Sequence, residues 1–364
     1  MANCKIAVFE NSESGVEIRE TEIPVLKKGE ILVKNEYTTL CRSDILTYTG
    51  KRIEKTPTIL GHEITGYISA FGPDTETIDA RGNILAVGDP ITWAIYASDP
   101  ASYFSQMGIP QKAAGLFKYG HEQITPESTL HGGLGEYTIL RRYTPVIRIS
   151  DSLPKPIAAL INCSVATVAG AIRLAGDLKG KNVLISGTGM LGVIACAMAK
   201  VAGASTIFAV DINPERLEIA CRFGANQAMT CDPLFSDFGE KFIEKTKSKI
   251  PIQVMIDFSG SPDTMEATLE YLQTGGTAVW IGATYPQRSV PVNAEKMVRR
   301  VWTIKGLHNY NGEDFLKAVE FMEQNYLNFP FDSLIYDGFS LDRSNDAFQY
   351  AIEHNPFRVG IMIP

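Results

Sequence analysis

The chain has 364 residues, 45% of them apolar, and a formal net charge of −7 at pH 7. This length predicts two domains, and the apolar content is enough for a sizeable core. The acidic balance argues against nucleic acid or an anionic membrane surface as a partner, because both require a basic protein face. A small anionic substrate stays open, since a local pocket can be basic on an acidic protein.

The cysteines are scattered and include no CxxC pair, so we expect free thiols or metal ligands and not a disulfide framework. The start of the chain, MANCKIAVFE, lacks a basic stretch followed by an apolar run, and no signal peptide is predicted. Glycines interrupt the most apolar stretch, residues 183–203, so we expect no membrane span and a cytoplasmic protein. The six cysteines are Cys4, Cys41, Cys163, Cys196, Cys221 and Cys231.

The first 150 residues contain short runs of partly alternating apolar and polar residues, such as EILVKNEYTTL, GYISAFG and LGEYTILRRY. Frequent glycines and prolines separate these runs. The pattern is typical of strands joined by loops, and it predicts a β-rich domain built as a distorted barrel or sandwich.

Beyond Pro154 the pattern changes to a helical run, KPIAALINCSVATVAGAIRLAG. Buried strands then alternate with helices, and the strands are KNVLIS, TIFAVDIN, IQVMIDFSG and GTAVWIGA. Such alternation predicts an α/β domain with a doubly wound parallel sheet. The chain ends in the strand-like FRVGIMIP, which we expect to rejoin the first domain. The predicted boundaries are 1–155, 156–295 and 296–364.

The glycine-rich stretch GTGMLG directly follows the strand KNVLIS and opens a helix. This context predicts a dinucleotide site. Gly187 permits a tight turn, Gly189 lets a pyrophosphate approach the backbone, and Gly192 lets helix and strand pack closely. Asp211 ends the next strand, where a carboxylate binds both ribose hydroxyls of NAD and repels a 2′-phosphate. Arg216 lies beyond this acid and could pair with it or stack on adenine.

Two thiols and one imidazole form a candidate metal set. Cys41, His62 and Cys163 would leave the fourth tetrahedral position open, which is typical of a catalytic zinc ion. Glu63 could ligate transiently or orient the site, and Asp44 could accept a hydrogen bond from the imidazole. On spacing alone each cysteine could equally be a buried structural residue, so the prediction depends on its combination with the nucleotide fold.

Six stretches in this order, CRSD, GHE, GGLGEY, INCSVAT, GTGMLG and VDIN, resemble the zinc-dependent medium-chain alcohol dehydrogenases. The resemblance covers nearly the whole chain. It implies a GroES-like catalytic domain, formed by both chain ends, around a Rossmann domain that binds NAD. It also implies a homodimer or homotetramer, and we expect the apolar strand GTAVWIGA to form the sheet edge through which two copies join.

The resemblance assigns a chemistry and site residues. Zinc would act as a Lewis acid on an alcohol, whose carbon would release a hydride to the nicotinamide. Ser43 would take the substrate's proton, with Glu63 and Asp44 as further catalytic residues. The expected cofactor contacts are Arg42, Thr167, Gly187, Gly189, Met190, Leu191, Gly192, Asp211, Arg216 and Arg358.

The sequence departs from the family pattern in two places. The lobe that often holds a second, structural zinc ion has no cysteine, so we expect one zinc ion per chain. Its four candidate positions are Asp99, Ser102, Ser105 and Ala113. Packing would then have to hold the lobe, through Tyr103, Phe104 and Met107. Leu46 occupies the position at which the family usually has a relay histidine. The proton released by the substrate would then pass to bulk water, Tyr48 or His131.

The stretch FKYGHE and the segment beginning RRVWTIKG resemble a subgroup associated with phosphonate metabolism. This resemblance implies an anionic substrate, for which Arg52, Arg299 and Arg300 are candidate partners. The alternative is a polyol or cyclitol, bound in a polar pocket by residues such as His121 and Glu122. Two other functions stay open, a zinc-free quinone-oxidoreductase-type reductase and a non-catalytic nucleotide sensor. The direction of the reaction also stays open.

Overall fold

The computed structural model describes residues 2–230 and 251–364, so Cys231 lies outside the described residues. The strands in chain order are β1 (Asn3–Asn11), β2 (Gly15–Glu22), β3 (Ile31–Leu40), β4 (Glu63–Phe71), β5 (Pro90–Trp93), β6 (Tyr96–Ala97), β7 (Phe117–Lys118), β8 (Tyr137–Leu140), β9 (Val146–Arg148), β10 (Asn182–Ser186), β11 (Thr206–Asp211), β12 (Gln227–Thr230), β13 (Ile252–Asp257), β14 (Leu272–Trp280), β15 (Thr303–Gly306), β16 (Ile335–Ser340) and β17 (Arg358–Met362).

The helices in chain order are α1 (Arg42–Tyr48), α2 (Tyr103–Gln106), α3 (Lys155–Ala159), α4 (Ala166–Ala175), α5 (Met190–Val201), α6 (Pro214–Arg222), α7 (Pro262–Leu269), α8 (Ala294–Arg300), α9 (Gly312–Asn325) and α10 (Ser344–His354). A π-helical turn, Ile161–Val165, lies between α3 and α4. The described chain divides into unit 1, which comprises Met1–Ala166 and Asn311–Pro364, and unit 2, which comprises Thr167–Tyr310.

Unit 1 is built on a seven-stranded sheet with the order β16-β17-β3-β4-β5-β9, in which β8 also pairs with β3. The last strand of the chain, β17, runs antiparallel to β3 and pairs Val359 with Leu40. Because β17 is apolar and buried, it completes the core that the first residues of the chain begin. Both ends of the chain therefore shape the same unit.

Unit 2 contains six strands in the order β12-β11-β10-β13-β14-β15. All neighbouring pairs are parallel, as the alternation of strands and helices predicts. The strand GTAVWIGA was expected at the edge of this sheet, and this prediction is wrong. It forms part of β14, which lies between β13 and β15, so β15 is the edge on that side.

The lobe around α2, which lacks cysteines, was expected to be stabilised by packing of three apolar side chains, and this prediction is wrong. Tyr103 and Met107 are 70% and 58% exposed and Phe104 is 39% exposed, so they do not pack into a core. Local hydrogen bonds are present instead: Ser102 caps α2 by accepting the Ser105 N–H, and its hydroxyl lies 2.8 Å from that of Ser105. One helical stretch, Lys155–Ala175, has the length and apolar composition of a membrane span, but 78% of its most apolar window is buried within the fold. A core helix explains it equally well.

Phe348 on α10 provides a test of the unit 1 core. Its ring is fully buried and stacks on Tyr48 with the ring centroids 4.1 Å apart. We expect Phe348→Ala to lower the free energy of unfolding of unit 1 by about 3–5 kcal/mol, because it removes buried apolar area and leaves a cavity. Urea denaturation measures the change. Leu327→Ala, at a side chain that is 82% exposed, is the control and should leave the transition near its original midpoint. Equal midpoints for both variants would contradict this packing.

Candidate functional site

Three potential metal ligands from distant parts of the chain meet in unit 1. The ligand atoms of Cys41, His62 and Cys163 all lie within 4.8 Å of one another. Zinc binds sulfur at about 2.3 Å and imidazole nitrogen at about 2.0 Å, so one ion can be reached by all three with modest adjustment. Two sulfurs and one nitrogen suit Zn²⁺ and leave one tetrahedral position for a further ligand.

One carboxylate orients two of these ligands. Asp44 caps the first turn of α1, and its Oδ2 accepts the Cys41 N–H at 2.8 Å. Its Oδ1 accepts the Gly61 N–H at 3.2 Å and lies 3.3 Å from Nδ1 of His62. The other ring nitrogen, Nε2, lies 3.5 Å from the Ser43 hydroxyl. The short motif CRSD therefore brings a sulfur, a hydroxyl and an orienting carboxylate to one imidazole.

The third ligand lies on the π-helical turn Ile161–Val165, which is wider than an α-helical turn and is common at functional sites. This turn contains Cys163, which is half-buried, and Ser164, which is fully buried. The helical pattern of the sequence predicts an unbroken helix here, so the local widening that positions Cys163 was not foreseen.

Beneath the metal set lies a buried ion pair between Glu63 and Arg358. Nε of Arg358 lies 2.6 Å from Oε2, and Nη2 lies 2.9 Å from Oε1. Thr39 and Ser164 donate further hydrogen bonds to Oε2 and Oε1, each at 2.5 Å. Both carboxylate oxygens of Glu63 are thus engaged within the protein. The same guanidinium lies 3.6 Å from the sulfur of Cys41.

These contacts set the protonation of the ligands before metal binds. A hydrogen bond from Cys163 holds the pKa of Cys41 well below its usual value, and the Arg358 charge acts in the same direction. The same hydrogen bond, together with burial, raises the pKa of Cys163. Burial disfavours the charged form of His62, but Asp44 and Cys41 outweigh it and raise the pKa of the imidazole to about 10. A bound metal would displace these protons.

Sequence analysis suggested Tyr48 and His131 as replacements for the relay histidine. The contacts described for both side chains lie away from the three candidate metal ligands. The Tyr48 hydroxyl donates to Asn345 at 3.0 Å, and its ring stacks on Phe348. His131 packs edge-on against Phe117, and burial lowers its pKa to about 4.

His121 is a member of the site that sequence analysis considered only as a pocket residue. Its ring centroid lies 4.8 Å from that of His62, and its Nδ1 lies 2.9 Å from Oε1 of Glu54. Arg52 contacts both partners, with Nη2 at 2.6 Å from the Glu54 carboxylate and 3.5 Å from the His121 ring. Burial holds the pKa of His121 well below its usual value, so the imidazole is neutral. The stretch FKYGHE carried the only indication of this position.

The glycine loop of unit 2 is shaped as a dinucleotide site requires. Gly187 has φ = 82°, and a Cβ there would lie 2.5 Å from the Ser259 nitrogen. A Cβ on Gly192 would lie 1.9 Å from the Gly187 carbonyl oxygen, so only glycine permits this approach of α5 to β10. Met190 opens α5 and is followed by Leu191. The loop therefore leads into a helix N-terminus, where the first N–H groups and the helix dipole favour an anion.

Asp211 ends β11 beside this loop. Its Oδ2 accepts the N–H of Thr188 at 2.6 Å and the Thr188 hydroxyl at 3.0 Å. Arg216 approaches the same loop, since its Nη1 lies 3.7 Å from the position of a Cβ on Gly189. The acid, the arginine and the glycines thus meet within unit 2.

The remaining predicted cofactor residues are divided between the units. Arg42 is exposed in unit 1, and its Nη1 lies 3.4 Å from Oδ1 of Asn355. Arg358 also belongs to unit 1, where Glu63 and Ser164 occupy its guanidinium. Thr167 is buried at the first position of unit 2. Their contacts with a nucleotide stay predictions.

Two family profiles match the sequence. Residues 27–151 match the alcohol dehydrogenase GroES-like domain, and residues 191–324 match the zinc-binding dehydrogenase domain. The chain belongs to the zinc-dependent medium-chain alcohol dehydrogenase family. The predicted fold class is confirmed, since a GroES-like domain accompanies a Rossmann-type parallel sheet, and the predicted class of oxidoreductase is confirmed with it.

The chain has relatives of different named activities. It is 27% identical to a sorbitol dehydrogenase of Bacillus subtilis, over 99% of this chain and 97% of the relative. It is 28% identical to an NAD-dependent alcohol dehydrogenase of Sulfolobus acidocaldarius, over 91% of each chain. The crystal structure of an alcohol dehydrogenase from Thermotoga maritima superposes with a TM-score of 0.91 over the whole of both chains, at 24% identity. The last likeness supports the fold alone.

The buried pair beneath the metal set gives a stability prediction. We expect Arg358→Met to lower the free energy of unfolding of unit 1 by about 3–5 kcal/mol, because it leaves Glu63 as an unpaired buried carboxylate. Chemical denaturation of the metal-free protein measures this change. Lys28→Met removes a surface partner of Asp74 and is the control, since exposed pairs contribute little. A small effect of Arg358→Met, similar to that of Lys28→Met, would contradict the assignment.

Proposed function

We propose that this protein is an NAD(H)-dependent zinc enzyme that interconverts an alcohol and an aldehyde or ketone. The observation that carries the proposal is the convergence of Cys41, His62 and Cys163 on one donor set in a member of this family. When bound, zinc supplies Lewis acidity towards the substrate oxygen, and NAD(H) supplies the hydride acceptor or donor.

The protein's own residues prepare the site for this chemistry. Asp44 fixes the ring of His62 and the backbone of Cys41, so two donor atoms keep their positions. Arg358 stabilises the thiolate of Cys41, and Glu63 balances the guanidinium charge. Since both its oxygens are engaged, Glu63 acts in this proposal as a support for the site and not as a transient ligand.

The proposed proton acceptor is Ser43. Its hydroxyl lies 3.5 Å from Nε2 of His62, the ring nitrogen that faces away from Asp44. A hydroxyl at this position would take a proton from the alcohol group of the substrate and pass it outward. Leu46 offers no onward acceptor in the next turn of α1, so the proton has to leave by water or by another polar group.

The metal content is the first test. Within the described part of the chain, Cys41, His62 and Cys163 are the one group of three or more potential donors that lie together. We therefore expect about one zinc ion per chain. Cys163→Ala should reduce it to near zero and abolish alcohol oxidation, while NADH binding by unit 2 persists. Plasma mass spectrometry and NADH fluorescence measure the two properties.

Cys221→Ser is the matched control, because this exposed thiol lies on α6 of unit 2. It should keep the zinc content of the original protein. Two ions per chain, or full metal retention by Cys163→Ala, would contradict the proposed centre.

The nucleotide preference is the second test. We propose NAD as the cofactor because Asp211 presents a carboxylate at the end of β11, and the named activity of the Sulfolobus relative supports this choice. We expect kcat/KM to be at least about 100-fold higher with NAD than with NADP, since the carboxylate repels a 2′-phosphate. Asp211→Ala should narrow the ratio of kcat/KM with NAD to kcat/KM with NADP, because it removes the carboxylate that repels the 2′-phosphate. A preference of the original protein for NADP would refute the role of Asp211.

The substrate is proposed to be a small polar alcohol, for which two classes have support. The sorbitol dehydrogenase relative supports a polyol. The phosphonate subgroup that the sequence resembles supports an anionic alcohol. Arg299 and Arg300 do not favour the anion, because Arg299 is exposed and pairs with Glu295, and Arg300 donates to the carbonyl oxygen of Glu270. Arg52 does favour it, since it lies beside His121 at the metal centre.

A further inference from the structure

Lys118 is a half-buried cation whose ammonium group has no partner among the described residues, and it lies near the candidate metal centre. It is the second residue of β7, where it pairs with Tyr96 of β6. Among residues 2–230 and 251–364, no side chain or carbonyl group forms a hydrogen bond or an ion pair with its ammonium group. Burial lowers its pKa, and the nearby positive charge of Arg52 lowers it further.

A tight turn connects Lys118 to the metal ligands. The His121 N–H donates to the Lys118 carbonyl oxygen at 3.2 Å, and Oε1 of Glu122 accepts the Lys118 N–H at 3.1 Å. The ring of His121 lies against His62, so the turn fixes Lys118 at the same centre. The charge of Cys163 opposes the lowering of the Lys118 pKa, because a nearby negative charge favours the protonated amine.

The two nearest carboxylates are engaged by other groups. Glu54 is bonded to Arg52 and to the ring of His121, and Oε1 of Glu122 accepts the backbone N–H of Lys118, so neither is described as an ion-pair partner of the Lys118 ammonium. The carboxylate of Asp44 is engaged by His62 and two backbone N–H groups. Zinc would also neutralise the negative charge of the two thiolates, which removes the remaining attraction that Cys163 offers to Lys118.

An ammonium group that is partly removed from water costs free energy unless an anion compensates it. A neutral polyol would leave the charge of Lys118 uncompensated. A carboxylate, phosphate or phosphonate would neutralise it through charge-assisted hydrogen bonds, which are stronger than those to neutral groups.

We infer that Lys118 and Arg52 form an anion-binding subsite next to the metal ligands, and that the substrate is an alcohol carrying a compact oxyanion. This inference rests on the proposed function, because it names the substrate class of the same site. Lys118 is thus a specificity-determining residue, a position that neither charge nor spacing in the sequence singled out.

The first experiment compares three alcohols of similar size. They are 2-hydroxyethylphosphonate, 3-hydroxypropionate and the neutral 3-hydroxypropionamide, assayed with NAD and the zinc-loaded protein. We expect at least one anion to be preferred over the amide. Lys118→Met should reduce this preference in kcat/KM about 30-fold, the effect of losing one charge-assisted hydrogen bond. Lys118→Arg should largely preserve it. Lys317→Met, which removes an exposed lysine paired with Glu320, is the control.

The second experiment measures binding without turnover. Ethylphosphonate and propionate are titrated into the zinc-loaded protein in the absence of NAD, by calorimetry. We expect the Kd of the preferred anion to rise about 30-fold in Lys118→Met and to change little in Lys118→Arg. Tighter binding of ethylphosphonate identifies a phosphonate or phosphate group, and tighter binding of propionate identifies a carboxylate. Both results support the subsite.

The two experiments separate the possible failures. If the amide is oxidised well and Lys118→Met alters neither anion preference nor anion binding, the inference is overturned and the proposed function stands. If no alcohol is oxidised but anion binding still depends on Lys118, the proposed function fails and the subsite is supported. Circular dichroism and zinc content of each variant exclude loss of folding as the cause.

Discussion

The candidate metal centre depends on the buried ion pair between Glu63 and Arg358. Glu63 begins β4 and Arg358 begins β17, so the pair joins the early part of the chain to its C-terminal end. Ser164 donates to the same carboxylate from the π-helical turn. A buried ion pair strongly restrains the positions of its two side chains, because moving either side chain away leaves the other charge buried and uncompensated. The elements that carry all three metal ligands are thereby fixed relative to one another.

The chemistry is divided between the two units by the physical properties of their elements. Unit 1 supplies sulfur, imidazole and carboxylate groups on short strands, turns and loops, where side chains from distant positions can converge. Unit 2 supplies a parallel sheet with a glycine loop, where backbone N–H groups at the start of α5 are suited to an anion. Unit 1 carries the candidate metal centre and unit 2 carries the candidate dinucleotide loop, and the family assignment agrees with both.

In the proposed enzyme, the region of Lys118 would select the substrate while the metal ligands serve the reaction. The metal ligands use Asp44, Glu63 and Arg358 for their own orientation and charge balance. Arg52, Glu54 and His121 form a second hydrogen-bonded group beside these ligands, and Lys118 lies in the turn that carries His121. Specificity can therefore change through this second group while the ligands stay the same.

By itself the sequence predicted the features that depend on local patterns. The strand and helix alternation predicted the parallel sheet, and the stretch GTGMLG predicted a loop in which a Cβ on Gly192 has no room. The motif resemblance chose Cys41, His62 and Cys163 from six scattered cysteines and five histidines. Spacing alone could not have done so, because the three positions converge only through long-range folding.

Only the tertiary structure decided the features that depend on which elements meet. It paired Arg358 with Glu63 and Cys41, although the resemblance assigned this arginine to the cofactor. It showed that β15, and not the expected strand β14, forms the edge of the sheet, and that Tyr103 in the lobe is exposed. It also placed Lys118 in the turn that carries His121, whose ring lies against His62. Burial and charge balance are sums over neighbours that lie far apart in the chain, so no local pattern of residues contains them.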